Sequence, residues 1–306
     1  MSKKRARTRI EKNKKELKKI RNEKRNAFSN FLIRFILIIL LTVCCLLIYA
    51  RYTATSGLEV KEYNIENVKV PDSFQGFKIL HFSDLRYGST VNKSNLDLIE
   101  KKVKEIEPDL IVFTGDLVWD GYSLKDEDRK ELTEFLYNLD NNAGKYAVLG
   151  DIDNTDTEEI LKSGEFTVLK NSSEKIYYKG YTPIILSGSG SSIKKENNYE
   201  DTFNYQKEEG SNNLLQISCI HESDASLEIA NNYSVDYILD GNSLGGLVRV
   251  PAIGNINSLE GSKKNNEEYL KEKDTEIYTS FGIGTTKIKF RYFNRPSVNL
   301  YRLYRK

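Results

Sequence analysis

The longest unbroken apolar stretch of the chain is FLIRFILIILLTVCCLLIYA, residues 31–50, in which Arg34 is the sole charge. About 20 mostly apolar residues make a helix long enough to cross a bilayer, and an arginine one turn from its end can reach the head groups. The pattern therefore predicts one transmembrane helix over residues 31–51. A buried core helix fits less well, because the run is long and has membrane-like flanks. A cleaved signal sequence also fits less well, because the charged region ahead of the run is unusually long for one.

From Val68 onward the pattern changes to short, continuously apolar runs that end in polar loops. FKILHFSDL (77–85) is followed by a helical pattern through LDLIEKKVKEIE and then by DLIVFTGDLV (109–118), a β-α-β unit. A helix over about 126–139 leads to the strand KYAVLGDID (145–153), with another helix near 157–163. TPIILSG, LLQISCIH, VDYILDG, EIYTSFGIG and VNLYRLY follow as further strands. Apolar runs of this kind fit an α/β fold whose sheet is covered on both faces. Two Asn- and Lys-rich stretches, about 189–213 and 255–275, read as surface loops. The division expected is a basic segment over 1–30, the span over 31–51, a linker over 52–67 and a domain over 68–306.

Charge adds an orientation. Residues 1–26 hold 13 Lys/Arg against three Glu, whereas residues 52–306 hold 31 Lys/Arg against 41 Asp/Glu. The basic segment beside the span places the N-terminus in the cytoplasm and the acidic domain outside, as a single-pass protein of the cell membrane. KKRARTRIEKNKKELKKIRNEKR reads foremost as a solvated orientation signal, with contact to anionic lipid as a further role. Nucleic acid is not an expected partner. Cys44 and Cys45 lie in the span and Cys219 is alone outside it, so the outer domain holds no intrachain disulfide.

Candidate chemistry collects where strands end. Asp84 follows HFS, Asp116 lies in FTGDL, Asp151 and Asp153 in VLGDID, His221 ends ISCIH and Asn242 follows ILDG. Ligands of open α/β sheets gather beyond the carboxyl ends of strands, so these groups are expected to converge. Carboxylates brought that close require a cation or a proton, and Asp, Asn and His are apt ligands for a divalent metal. SGSGSS (187–192) is a loop, since no Lys follows at phosphate-loop spacing. Trp119 and Asp120 read either as cleft lining or as ordinary surface. His81 reads as structural.

HFSDLRYGS, PDLIVFTGDLVWDG, KYAVLGDIDN, ISCIHESD and LDGNSLGGLVRVP, in this order, resemble the five motifs of the calcineurin-like metallophosphoesterases, in particular the membrane-anchored bacterial branch. The resemblance runs from about Val68 to Tyr304. It implies a metallo-dependent phosphatase-like sandwich of two mixed β-sheets flanked by helices, here preceded by one transmembrane helix.

Several family positions are altered. The first-motif histidine is Arg86, the catalytic histidine of the third motif is Ile152, and the two histidines of the fifth are Asn242 and Leu244. By resemblance, the first metal would use Asp84, position 86, Asp116 and position 244, a set reduced to two aspartates. The second would use Asp116, Asp151, His221 and Asn242, all able to donate. Arg86 is expected to replace the lost cation between Asp84 and Asp116 and to offer positive charge to phosphate.

The function expected is an extracytoplasmic phosphoesterase-fold protein, catalytically impaired, that binds a phosphorylated ligand or an envelope protein. It would hold at most one divalent metal, whether Mn, Fe or Zn. The alternative is an active single-metal phosphoester hydrolase in which Asp151 or Asp153 handles the proton.

Overall fold

The computed structural model describes residues 2–250, 252–287 and 289–306, which fall into two units that divide at Tyr49 and Ala50. The first unit is helix α1, Ser2–Ile48. Neither Gly nor Pro occurs before Gly57, and the basic part is rich in Lys, Arg and Glu, all good helix formers. The helix is long and apolar enough to cross a membrane.

The second unit carries two six-stranded sheets and five helices. In chain order these are β1 (Glu59–Glu66), β2 (Lys78–Phe82), α2 (Lys93–Ile106), β3 (Leu110–Thr114), α3 (Asp126–Tyr137), β4 (Lys145–Val148), α4 (Thr155–Ser163), β5 (Phe166–Val168), β6 (Ser172–Ile176), β7 (Ile184–Gly188), α5 (Tyr199–Thr202), β8 (Gln216–Glu222), α6 (Ser223–Asn232) and β9 (Tyr237–Gly241). The hairpin β10 (Arg249–Val250) and β11 (Gly254–Asn255) comes next, then β12 (Tyr269–Glu272), β13 (Thr275–Thr279) and β14 (Ser297–Tyr304).

One sheet has the order β1-β14-β2-β3-β4-β5 and the other β12-β13-β9-β8-β7-β6. Both are mixed: β2 through β5 run parallel, and β14 is antiparallel to β2. In the second sheet β7, β8, β9 and β13 run parallel between two antiparallel edges.

Side chains alternate across each strand, so a continuously apolar strand feeds two cores. Ile79, Leu110 and Val112 pack between the sheets with Leu186, Ile217, Cys219 and Leu239. Leu80, Ile111 and Phe113 face the other way, against Leu96, Ile99, Leu132, Leu136 and Leu161 of α2, α3 and α4. Ile185, Ile220 and Ile238 meet α5 and α6 in the third cluster. The result is a sandwich of two mixed sheets with helices on both outer faces.

The structure changes the expected division of the chain. Glu59–Glu66, within the expected linker, forms edge strand β1, parallel to β14 from Glu59↔Ser297 to Glu66↔Tyr304. Its outward glutamates disguise it as linker, and charges of this kind are how sheet edges resist further pairing. Each expected surface loop also contains structure. The 189–213 stretch holds α5 and two short 3-10 turns, through which Tyr199, Phe203 and Tyr205 join the core, and β12 lies within 255–275.

Candidate metal centre

The loops that follow β2, β3, β4 and β9 meet at one edge of the sandwich. The Asp84 amide donates to Gly115 O at 2.9 Å, and that of Arg86 to Asp116 O at 2.9 Å. Asp84, Arg86, Asp116, Asn242 and Leu244 all adopt left-handed φ, between 46° and 64°. Such backbone is sparsely populated by non-glycine residues and collects at functional sites.

Arg86 lies between two inaccessible carboxylates. Its Nε donates to Asp84 Oδ1 at 3.1 Å and its Nη2 to Asp116 Oδ2. Burial opposes the guanidinium charge, but Asp116 and Asp84 outweigh it and raise the pKa further, so the group stays charged. Burial would also lift Asp116, yet the charges of His221 and Arg86 hold it down at about 2. For Asp84 burial prevails over Arg86, and its pKa is raised. Its other oxygen accepts from Ser83 Oγ at 2.6 Å and from the Asn242 amide at 3.0 Å.

A second set of donors opens beside this pair. His221 Nδ1 lies 2.5 Å from Thr114 O. A carbonyl only accepts, so Nδ1 carries the proton and directs Nε2 inward, the arrangement that orients metal-binding histidines. Nε2 sits 3.4 Å from Asp116 Oδ1 and 3.3 Å from Asp151 Oδ1. His221 Nε2 and Asp151 Oδ1 are buried without a hydrogen-bond partner. Bonds of about 2.1 Å to one ion would set neighbouring donor atoms about 3.0 to 3.4 Å apart, so this trio fits a divalent metal. Burial opposes a charged imidazole, but Asp116 more than offsets it, and the pKa of His221 is raised well above its ordinary value. The pocket thus demands a cation or a proton at this point. Asn242 spends its amide nitrogen on Glu260 O at 2.6 Å, leaving its side-chain oxygen as the available donor.

Asp84, Asp116 and His221 also place ligand atoms within 4.8 Å of one another and form a candidate metal site among the described residues. The Arg86 bonds to both aspartates restrict it: the side of Asp84 and Asp116 that Arg86 fills does not fit a cation, whereas the side toward His221 and Asp151 does. Leu244 is fully buried, and a Cβ added at Gly282 would lie 2.7 Å from Asp84 Cβ and 2.8 Å from Leu244 Cδ2, so a hydrocarbon side chain closes that side.

Asp153, which the single-metal alternative offers beside Asp151 for proton handling, is engaged elsewhere. It is buried, and its oxygens accept from the Asp116 amide (2.7 Å), the Leu117 amide (3.0 Å) and the Gly150 amide (2.8 Å). It ties the β3 and β4 loops together. Burial raises its pKa to about 6 against those three bonds. His81 is structural, buried between Thr114 Oγ1 and Tyr301 Oη.

Above the centre lies a cleft of about 430 Å³ lined by Arg86, Trp119, Asp120, Asp151, Ile152 and Asn242, together with Leu259, Glu260, Thr286 and Lys287. The sequence pattern does not point to the last four. The glycine of FGIG at Gly284, where an added Cβ would meet Arg86 Cβ at 2.6 Å, is the nearest sequence signal for the 286–287 wall.

A two-sheet sandwich with Asp, His and Asn donors converging from the strand ends of both sheets defines a metallophosphoesterase-type centre. Residues 77–243 match the model of the calcineurin-like phosphoesterases, and the chain belongs to that family. It is similar to the metallophosphoesterase YkuE of Bacillus subtilis, 27% identical over 260 residues that cover 83% of this chain and 88% of the relative. A transmembrane protein with a metallophosphoesterase domain from Danio rerio is 29% identical, covering 45% of this chain and 32% of its own. The UDP-2,3-diacylglucosamine pyrophosphatase LpxG of Chlamydia trachomatis is 26% identical, covering 52% and 46% respectively. The apolar helix and the zebrafish relative both point to membrane anchoring.

Proposed function

We propose that this chain is a membrane-anchored phosphoesterase-fold protein that binds a phosphorylated ligand with one divalent metal at most, and that its hydrolytic turnover is far below that of family members with complete motifs. The observation that carries this reading is the Arg86 guanidinium held against both Asp84 and Asp116, in the place where the family motif supplies a metal ligand. Asp116, Asp151, His221 and the Asn242 oxygen would hold the metal. Bound there, a divalent ion would supply Lewis-acid polarisation of a phosphoryl oxygen. Arg86 lines the cleft and adds fixed positive charge for the same phosphoryl group.

What is missing is the proton. Ile152 lines the cleft with a side chain that has none to give, and a general acid is worth roughly 10²- to 10⁴-fold. The unpartnered His221 Nε2 and Asp151 Oδ1 favour a second reading, a slow single-metal hydrolase with Asp151 as its acid or base. Asp153 is withdrawn from that role by its three amide bonds.

Metal content and phosphodiester hydrolysis of the purified full chain test the proposal. One metal or none, with turnover that rises in the combined Arg86→His, Ile152→His, Asn242→His and Leu244→His variant, is the expected result. Two metals and turnover on the order of 1 to 10³ per second in the unmodified chain would overturn it. The charge asymmetry supports an N-terminus in the cytoplasm and residues 52–306 outside the cell, so protease added to intact cells should remove the domain.

A further inference from the structure

The domain is acidic, yet three of its segments contain no Asp or Glu: residues 50–58, 242–259 and 281–306. The fold brings these three together. Ala50, where the apolar run ends, accepts a hydrogen bond through its carbonyl from the Arg291 amide at 3.1 Å. The next residue, Tyr292, pairs with the strand leading into the β10–β11 hairpin: its amide donates to Leu247 O at 3.0 Å and its carbonyl accepts from Arg249 at 2.9 Å. Ile256 donates to Val248 O on the other side of the same ladder.

This corner also exposes large apolar side chains. Ile253, in the hairpin turn, is 78% exposed, Ile256 66%, Phe293 61% and Tyr52 66%. Phe293 packs edge-on against Tyr292, with ring centroids 4.6 Å apart, which holds it outward. Exposed Arg295 and Lys287 lie on the same segment as Phe293. Aliphatic and aromatic side chains with cations beside them suit the head-group zone of an anionic bilayer, and the exposed Glu267, from outside the three segments, faces Arg249 of the hairpin at 3.5 Å.

Chain continuity identifies the occupant. If residues 31–50 cross a membrane, Ala50 stands at its surface, and whatever bonds to Ala50 is within a residue or two of the lipid head groups. We propose that the β10–β11 hairpin and the Tyr292–Phe293 turn form a lipid-contact face, with Ile253, Ile256 and Phe293 dipping into the bilayer. This rests on the reading of the apolar helix as membrane-spanning. The same segments continue into Leu259, Glu260, Thr286 and Lys287 of the cleft wall, so lipid contact would fix how the cleft mouth stands relative to the membrane surface.

The test uses the full chain in vesicles of phosphatidylcholine and phosphatidylglycerol, in a Trp119→Phe background that removes its single tryptophan. Ile253→Trp and Phe293→Trp report on the face, Leu41→Trp on the span and Tyr137→Trp, on exposed α3, on open solvent. With acyl chains brominated near the head groups, emission from Ile253→Trp and Phe293→Trp should fall roughly twofold or more, while Tyr137→Trp is unchanged. If Leu41→Trp is quenched by lipid brominated deeper in the chain and neither face variant responds, the proposal is overturned while the anchor stands. If Leu41→Trp is not quenched, the spanning reading fails; quenched face variants then sustain the lipid face alone, and unquenched ones overturn it too. Face variants shielded from both lipid and an aqueous quencher would reveal a protein partner and would also overturn it.

Discussion

Replacing Arg86 by methionine keeps an unbranched stem that reaches about as far as Nε and removes the guanidinium and its charge, which tests whether the guanidinium stands in for a cation. At the 3.1 Å separation of Arg86 Nε and Asp84 Oδ1, an effective dielectric of about 20 gives an attraction of about 5 kcal/mol, and Asp116 adds a second partner. Desolvation of the arginine offsets much of this. Its removal, however, leaves two buried aspartates facing each other, and breaking a buried pair in this way costs about 3 to 5 kcal/mol. For a unit of this size each kcal/mol shifts Tm by about 2 to 4 °C, so Arg86→Met should melt roughly 10 °C below the parent in chelator. Manganese should then act differently on the two proteins. A site filled at 100 times its Kd contributes about 2.7 kcal/mol, and the variant regains a cation position that the parent has closed. Thermal unfolding of the full chain in detergent, followed by near-UV circular dichroism with chelator and with manganese, reads both effects. A variant that melts within about 2 °C of the parent in chelator, or the same manganese shift in both proteins, would refute the substitution of arginine for metal.

Two further outcomes follow from buried groups around the centre. Burial lowers the pKa of His81 to about 3, so the unfolded chain, titrating near 6.5, binds the extra proton between those values, and stability falls with acid through that window. Urea midpoints at pH 7 and pH 5 should show the parent losing up to about 2 kcal/mol more than His81→Gln, and parallel losses would remove His81 as the cause. Asp153→Asn puts an amide group where three backbone amides now donate; it should cost about 1 to 3 kcal/mol in denaturant unfolding and weaken metal binding through the Asp116 and Asp151 loops. An unchanged metal affinity would confine Asp153 to stability.

The strands that build both cores are legible because buried parallel strands are apolar on every residue, and the donors are legible because they sit where those runs stop. Other features depend on partners far away in the chain. β1 is recognised only with β14, more than two hundred residues later, since its own pattern is half charged. Helix α6 begins at Ser223 without a side-chain cap, directly after β8, so no local signal marks its start. The Leu259–Glu260 wall follows from Asp224, whose carboxylate accepts from the amides of Lys263, Lys264 and Asn265 and pulls a polar stretch onto the domain. Asp153 is not separable from Asp151 in the sequence for a different reason. Two carboxylates two residues apart look equivalent in sequence, and only the direction of the turn after β4 sends Asp151 to the cleft and Asp153 to the backbone.

The left-handed backbone at Arg86 and Leu244 bears on whether metal ligands could be restored at these positions. Asp and Asn tolerate such φ because a short polar side chain can bond locally, but Arg and Leu gain nothing of the kind, and the strain is of order 1 kcal/mol at each. It persists because the surroundings determine it. The Arg86 amide is bonded to Asp116 O, the Leu244 carbonyl accepts from Asn294 Nδ2 at 2.6 Å, and Gly282 and Gly284 press close against Leu244 and Arg86. The two hydrogen bonds and the Gly284 contact with Arg86 Cβ do not depend on the chemistry of the two side chains, whereas Gly282 meets Leu244 at its Cδ2. If, as proposed, family ligands are replaced at these two positions, the loops would present a restored histidine from the same backbone conformation, and the proposed loss would be one of side chain alone. On the proposed reading the strained backbone fits a metal-binding geometry, which makes reconstruction of a two-metal centre by substitution the experiment suited to this frame.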